Sequence, residues 1–371
     1  MKNIQLPSTT ANLVTASNSI LKKYGVTPFH QTCIELDVVL EHHDRVVFIL
    51  FDGAGTKIIE NSCKPNSVLR TRPHIKITSI FPPTTVAATN AFLSGLYPSE
   101  NGWLGWTQYF SDLGRAFNVF QNVDSWTKEL VPGNVMRERY PINNIFHIIA
   151  KVRPDVNVQE VMPHFVPGGA KNLNQFYRHI RKSVKTPGPT LVYAYWIEPD
   201  STLHKEGTDS KKIKRIMRQI NRKLLKLEKK EPNTLFVVLA DHGLTNVKFL
   251  NICEHTDFFE TLVRPFTLEG RAANFYVKPE MKNQFEQLFH TYYGKYFRLF
   301  TKSDAIHEEL FGPTPMSDKA RVFLGDYIAV AIDDYGFYYS LTNEPKRMKA
   351  HHAGTLEAEM SINLTLLNYK K

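Results

Sequence analysis

Three aspartates close apolar runs of the kind that form buried strands, and two of them carry a histidine at metal-ligand spacing. Asp52 follows Val46-Val47-Phe48-Ile49-Leu50-Phe51. Asp200 comes after the run Leu191 to Ile197 and precedes His204 by four residues. Asp241 follows Leu235-Phe236-Val237-Val238-Leu239-Ala240 and is followed at once by His242. His352, in His351-His352-Ala353-Gly354, adds another imidazole. Hard carboxylates and imidazoles with no cysteine among them suit two divalent metal ions, zinc ahead of manganese. Each piece has a plainer reading by itself: a turn after a strand, a helix start with a surface imidazole, a pair of exposed histidines. Their joint occurrence at strand ends favours metal-dependent hydrolysis.

Thr85 is the candidate nucleophile. It lies in Phe81-Pro82-Pro83-Thr84-Thr85, where a strand pattern gives way to a helix pattern. Backbone N–H groups and the helix dipole at such a junction favour an anion, so a phosphate can be held there. A threonine hydroxyl is inert at neutral pH and needs activation, which a metal ion supplies. The competing reading makes Thr84 and Thr85 ordinary N-cap residues.

The elements that must position these residues alternate between strand and helix. An amphipathic helix with Leu13, Ala16, Ile20 and Leu21 on one face opens the chain. Strands are expected at Val46–Phe51, Ile75–Phe81, Val156–Val161, Leu191–Ile197 and Leu235–Ala240, with helices at Thr56–Ser62 and Val86–Ser94, the latter closed by Gly95. Continuous apolar runs imply strands buried on both faces, hence an α/β fold with a mainly parallel sheet sandwiched by helices. Ligands bind such sheets at the carboxyl ends of the strands, where Asp52, Asp200 and Asp241 all fall. After Cys253 the pattern changes. Phe258–Asn274 reads as aromatic loop, Ala273–Val277 as a strand and Met281–Tyr293 as a helix. Tyr327–Ile332 and Phe337–Tyr339 read as strands joined by an Asp333-Asp334-Tyr335-Gly336 hairpin. A final strand spans Met360–Leu367. The expected division is a core of residues 1–254 plus 346–371 and a small α+β inserted lobe at 255–345.

Composition narrows the partners. The hydrophobic fraction of 42% and charged fraction of 22% are ordinary for a globular chain. Cys33, Cys63 and Cys253 are scattered and odd in number, against a disulfide framework or thiolate zinc site. No segment resembles a signal peptide, and no run reaches the roughly 18 apolar residues of a membrane span. These features place the protein in the cytoplasm with no integral membrane segment. The formal charge of +10 favours an anionic partner. Much of that excess lies in Lys205 to Lys230, where Ile213, Ile216, Ile220, Leu224 and Leu227 form one helical stripe opposite Lys and Arg. A solvated helix face explains this pattern simply; nucleic acid stays open as a partner, and the oligomeric state is not encoded in any recognisable motif.

The ordered set of motifs resembles the alkaline phosphatase superfamily, and within it the type I phosphodiesterase/nucleotide pyrophosphatase family. The matching pieces are Ile49-Leu50-Phe51-Asp52-Gly53, Phe81-Pro82-Pro83-Thr84-Thr85 with Ser94-Gly95-Leu96-Tyr97-Pro98, Glu198-Pro199-Asp200 with His204, Ala240-Asp241-His242-Gly243, and His352-Ala353-Gly354. Asn101-Gly102-Trp103-Leu104-Gly105-Trp106 and the Glu269–Val277 stretch are also similar to bacterial members. The resemblance implies an alkaline phosphatase-like core. It implies that Asp200, His204 and His352 hold one metal, and that Asp52, Asp241 and His242 hold the other with Thr85 as a further ligand. It selects Thr85 over Thr84 as nucleophile, because the family nucleophile stands ten residues before Gly95. The implied reaction is a double in-line displacement through a phospho-threonine, on an anionic phosphoester such as a nucleotide.

One family feature is missing. Members carry an asparagine downstream of the nucleophile, and Trp106 stands in its place. Asn101 or Asn90 are substitutes out of pattern, while Trp103, Trp106, Tyr109 and Phe110 offer either base stacking or core packing. The sulfatase motif Cys/Ser-x-Pro-x-Arg is absent from the chain. A phosphomonoesterase or phosphomutase of the same superfamily is the nearer alternative. A basic nucleic-acid or membrane-surface binding protein with a decayed metal site is the alternative from another class.

Overall fold

A computed structural model describes residues 5–342, 344, 346 and 348–369. A six-stranded sheet forms the centre. Its strands run in the order His74–Thr78, Ser361–Leu367, Leu235–Leu239, Arg45–Phe51, Thr190–Trp196, Asn157–Val161. Arg45–Phe51 pairs in parallel with both Thr190–Trp196 and Leu235–Leu239, and Asn157–Val161 extends the parallel set. Ser361–Leu367 is the antiparallel member, between Leu235–Leu239 and His74–Thr78. Val46 to Leu50 are fully buried, as expected of a strand covered on both faces.

The helices form two groups. Leu13–Lys23, Ile34–Glu41, Thr85–Ser94 and Ile145–Val152 pack together, and Leu173–Val184, Lys211–Lys230, Thr56–Ser62 and Val68–Thr71 form the other group. The opening helix is more deeply placed than its amphipathic spacing suggests: every residue from Leu13 to Leu21 is buried. Its Asn18 explains part of this, since the amide donates to the Gly95 carbonyl at 2.9 Å and its oxygen accepts from the Phe29 N–H at 2.7 Å. A polar face with such partners can be buried at little cost. No helix among the described residues is long and apolar enough to cross a membrane.

The second sheet has seven antiparallel strands, in the order Phe297–Thr301, Tyr327–Ala331, Ala272–Val277, Leu262–Glu269, Thr107–Phe110, Arg115–Asn118, Val123–Asp124. It therefore draws three strands from residues 107–124, well before the stretch 255–345. Two readings of this region are corrected. Phe258–Asn274 is not loop: it holds the strand Leu262–Glu269, which pairs with Ala272–Val277 through irregular register. The shifts near Arg264 and Thr267 break the simple alternation that would mark a strand. Asp333–Gly336 is not a hairpin turn. Tyr335–Tyr338 pairs in parallel with Lys248–Asn251, while Tyr327–Ala331 pairs with Ala272–Val277 and Phe297–Thr301. The cause is Arg271, whose guanidinium donates to the carbonyls of Asp333 and Tyr335 at 2.8 and 2.5 Å and organises the turn around a cation.

Arg271 also makes a bidentate pair with Glu359, at 2.7 and 2.6 Å, and both side chains are fully buried. Glu359 in turn accepts the Gly354 N–H at 2.8 Å and the Leu356 N–H at 3.2 Å. One ion pair thus ties the second sheet to the loop that carries His352. Removing one partner of a buried pair typically costs about 3–5 kcal/mol, because the other charge is stranded. Arg271→Met is expected to lower unfolding stability by that amount, read as a reduced midpoint in urea. The Glu359→Gln single variant should cost a similar amount, and the double variant less than the two together.

Candidate metal centre

The parallel strands deliver their chemistry to one edge. Asp52 follows the strand Arg45–Phe51, and its backbone is locked between neighbours: its N–H donates to the Trp196 carbonyl at 2.9 Å, and its carbonyl accepts the Asp200 N–H at 3.0 Å. Gly53 turns the chain with φ +71°, and a Cβ there would stand 2.7 Å from Leu244 Cδ1 and 2.9 Å from Asp200 Cβ. Only glycine fits this close approach. The Gly53 N–H donates to Asp241 Oδ1 at 3.1 Å, joining a second strand end to the first.

The late histidines arrive by a short sheet. Ala350–His351 pairs with Thr245–Asn246, the segment just after Asp241-His242-Gly243. That pairing sets the His242 and His352 rings 4.0 Å apart, centroid to centroid. His204, on the helix Asp200–Glu206, donates its Nδ1–H to the Ala350 carbonyl at 2.8 Å, which leaves Nε2 facing Asp200 Oδ1 at 3.3 Å. His352 Nε2 stands 3.9 Å from the same oxygen. Gly354 has no room for a side chain: a Cβ would stand 2.7 Å from the Arg271 guanidinium and 2.9 Å from Glu359 Oε2.

Two groups of side chains are able to hold a cation. Asp200, His204 and His352 form one; Asp52, Asp200 and His242 form the other, with the ligand atoms of each within 4.8 Å of one another. Asp200 therefore stands in both. Asp241 adjoins the second group, with Oδ2 3.4 Å from His242 Nε2. Thr85 Oγ1 reaches it as well, 3.2 Å from His242 Nε2 and 3.4 Å from each oxygen of Asp52. All six proposed ligand side chains and Thr85 thus converge.

Thr85 is the first residue of the helix Thr85–Ser94, and the first helical bond runs from the Ala88 N–H to the Thr84 carbonyl. The N–H groups before Ala88 have no intrahelical partner and suit an anion. Thr84 occupies the N-cap position without a side-chain cap bond. Its hydroxyl instead donates to buried Glu269 at 2.5 Å. Asn101 is engaged in its own loop, donating to the Leu96 carbonyl at 3.2 Å and accepting the Trp103 N–H at 2.9 Å. Trp103 is buried, with its indole N–H donating to the Tyr140 carbonyl at 3.0 Å. Trp106 is half-buried, packs on Phe120, and donates its backbone N–H to Glu269 at 3.0 Å.

Three contributors escaped the sequence reading. Tyr195 donates its hydroxyl to Asp52 Oδ2. Glu269 anchors both Thr84 and the Trp106 backbone, and burial pushes its carboxyl up to about 7 against the hydrogen bonds it accepts. His351 is buried beside His204, with ring centroids 5.2 Å apart. Strand alternation marks Tyr195 only as core, and for Glu269 the one signal is the similarity of the Glu269–Val277 stretch to bacterial family members, which assigns the carboxylate no role.

The electrostatics ask for positive charge. Burial, then the charges of Asp241 and Asp200, hold the Asp52 carboxyl well above its ordinary range. Burial also raises Asp241, against the pull of His242. Asp200 is lowered despite its burial, because His204 stands beside it, and the same contact raises His204 against its own burial. His352 is pushed well down by burial and by the neighbouring His242 and His351. Asp200 Oδ1 and Asp241 Oδ2 are buried without a hydrogen-bond partner. Unpartnered carboxylate oxygens facing imidazole nitrogens are what a divalent cation satisfies, so the residues present fit such an ion.

The sign of the pH dependence follows. Asp52 and Asp241 have folded pKa values above their unfolded ones, so above pH 3.8 these two carboxyls hold more protons in the metal-free fold than in the unfolded chain. Their contribution to stability without metal is lost as pH rises. A cation binds the deprotonated forms, so its stabilisation grows with pH. The gap in melting temperature between zinc-loaded and chelated protein is expected to widen from pH 5 to pH 7.5. Differential scanning fluorimetry at both pH values reads it, and a constant gap would contradict the assignment.

Comparison with known proteins agrees with this architecture. Human ectonucleotide pyrophosphatase/phosphodiesterase 5 superposes with a TM-score of 0.66 at 16% identity, covering 88% of this chain and 90% of that one. The murine protein of the same name, described as an inactive threonine-to-alanine variant in complex with AMP, gives a TM-score of 0.63 at 16% identity, covering 86% and 87%. These likenesses show the shared fold, an alkaline phosphatase-type sheet flanked by helices. Comparison with curated protein sequences returns no match. The family model for type I phosphodiesterase/nucleotide pyrophosphatase matches residues 46–355, from the first strand of the central sheet to the loop past His352. On that match the chain belongs to the type I phosphodiesterase/nucleotide pyrophosphatase family.

Proposed function

We propose that this protein is a dimetal-dependent phosphodiesterase or nucleotide pyrophosphatase with Thr85 as its nucleophile. The observation that carries the reading is the meeting of Thr85 Oγ1, at a helix N-terminus, with Asp52 and His242. Asp200, His204 and His352 would hold one ion, and Asp52, Asp241, His242 and Thr85 the other, with zinc ahead of manganese. When bound, the ions would acidify the Thr85 hydroxyl and offset charge on the attacking and leaving oxygens.

The residues of the chain supply the rest. Asp52 and His242 fix the direction of Thr85 Oγ1, and Tyr195 fixes Asp52. The free N–H groups of the first helical turn receive a phosphoryl oxygen. Thr85 Oγ1 forms a bond to phosphorus as the bond to the leaving alkoxide or phosphate breaks, and the hydroxyl proton goes to that leaving oxygen. Water then attacks the phospho-threonine, the phosphorus–Oγ1 bond breaks, and Thr85 recovers its proton from that water. Glu269 holds the Thr84–Thr85 junction in place. Trp106, half-buried beside it, is the aromatic we assign to the base of a nucleotide. The AMP complex of the murine relative supports a nucleotide substrate.

The test is a paired assay on chelated protein reloaded with zinc or manganese. Bis(p-nitrophenyl) phosphate and a dinucleoside pyrophosphate should be cleaved with higher kcat/KM than p-nitrophenyl phosphate. Preference for the monoester would move the protein to the monoesterase reading. Inactivity on every ester at full metal occupancy would remove the hydrolase reading.

A further inference from the structure

The net charge of this chain is concentrated in one element. The helix Lys211–Lys230 carries ten Lys or Arg and a single carboxylate, Glu228, against 46 cations and 36 carboxylates in the whole sequence. Outside that helix the chain is close to neutral. The buried stripe of the helix is Ile213, Met217, Ile220, Asn221, Leu224 and Leu227, so its cations face outward and toward the neighbouring helix Leu173–Val184. Between the two helices run two adjoining cavities of about 350 and 270 Å³, both lined by Asn174, Lys223 and Lys226. Arg178 and Arg181 form one bank; Arg222, Lys223, Lys226 and Lys230 form the other.

The groove is not neutralised from within. Arg181 pairs with Glu231 at 2.8 Å, but the other five have no carboxylate partner among the described residues. Some exposed cations elsewhere are neutralised within the chain: Lys22 by Asp37, Arg115 by Asp124, Arg139 by Asp112, Lys282 by Asp326, Arg298 by Glu308. Five unpaired cations along one furrow repel one another, and a solvated face would gain nothing from being concave. The alpha-helical rise makes the furrow about 17 Å long, with cations one turn apart on its longer bank. That is the geometry of a groove that follows a polyanionic chain.

We propose that this groove binds the phosphate backbone of single-stranded nucleic acid. A membrane surface fits less well: none of the exposed large apolar side chains lies on either helix, so nothing inserts beside the charges. Free aromatic rings are also missing from its banks, since Tyr177 is buried, so binding reads phosphates and ignores base identity. The groove lies on the helical layer, built from residues distinct from the metal ligands, and therefore stands or falls separately from the proposed hydrolysis.

The experiment titrates metal-loaded protein against a fluorescein-labelled phosphorothioate thymidine oligomer of about 20 nucleotides, longer than one groove requires. Anisotropy is followed over a range of salt. The Arg222→Glu/Lys223→Glu/Lys226→Glu variant should bind at least about 10-fold more weakly, with the slope of log K against log salt reduced by about 2. A control of equal charge, Lys278→Glu/Lys295→Glu/Lys319→Glu, should bind nearly as well as the unaltered protein. Small-diester hydrolysis should be unchanged in both variants. Equal losses in groove and control variants would show net charge alone and overturn the proposal. So would binding to phosphatidylserine vesicles without binding to the oligomer, or an oligomer affinity untouched by the groove variant.

Discussion

Thr85→Ala is expected to lower kcat/KM for a chromogenic phosphodiester by roughly 10⁴-fold or more, with the metal ions retained. The argument is positional. Thr85 Oγ1 is the hydroxyl within 3.4 Å of both Asp52 oxygens and 3.2 Å of His242 Nε2, at the start of a helix whose first N–H groups are free. Alanine keeps the helix and its dipole, since it is a good helix former at the first turn. It keeps the carboxylates and imidazoles too, so the ions have most of their ligands. What disappears is the atom that bonds phosphorus. A loss of 10⁴ corresponds to about 5.4 kcal/mol of transition-state stabilisation, well beyond the effect of perturbing one hydrogen bond. Thr85→Ser keeps the hydroxyl and should retain much of the rate. Steady-state kinetics with metal analysis by mass spectrometry separates the outcomes. Diester hydrolysis at the unaltered rate in Thr85→Ala would transfer the nucleophile elsewhere.

Asp241→Asn should separate stability from metal binding. Asp241 Oδ1 accepts the Gly53 N–H at 3.1 Å and the His242 N–H at 3.0 Å, and an asparagine carbonyl oxygen can accept both. Oδ2, buried without a hydrogen-bond partner, becomes an amide NH₂. The substitution removes one buried negative charge from beside Asp52, whose carboxyl is held up partly by that charge. Metal-free protein should therefore melt at the same temperature or higher. Metal affinity should fall by at least about 100-fold, since even outer contacts to a ligand are worth 10–100-fold. The melting shift on adding zinc should shrink, because stabilisation by a ligand follows its occupancy, about 2.7 kcal/mol at a hundred times Kd. Full occupancy in the variant, measured after gel filtration, would take Asp241 out of the ligand set.

Much of the centre can be read from local patterns. Val46–Phe51 and Leu235–Ala240 are continuous apolar runs because both faces of those strands are covered, and the residue after such a run stands at the sheet's carboxyl edge. The same logic placed Asp52 and Asp241 without any knowledge of strand order, and Asp200 follows its run by one short loop, at the start of the helix Asp200–Glu206. Gly53 and Gly354 were visible as motif letters, and the close approaches to Asp200 and Arg271 give them their physical meaning. The helix Thr85–Ser94, closed by Gly95 with φ +70°, was legible because its signals lie within one short segment.

Periodicity reports which side chains are buried, and it says nothing of what they are buried against. The sequence alone therefore determined the central strands, the anchoring helix and the residue types able to hold cations. Tertiary structure decided the rest. It set Asp200 between the two candidate groups, brought Tyr195 to Asp52 across 143 positions, and joined Arg271 to Glu359 across 88. It also turned Leu262–Glu269 into a strand and spread the Asp333–Gly336 turn around a guanidinium. These contacts are non-local: their energies depend on a partner whose distance along the chain carries no signature at either end.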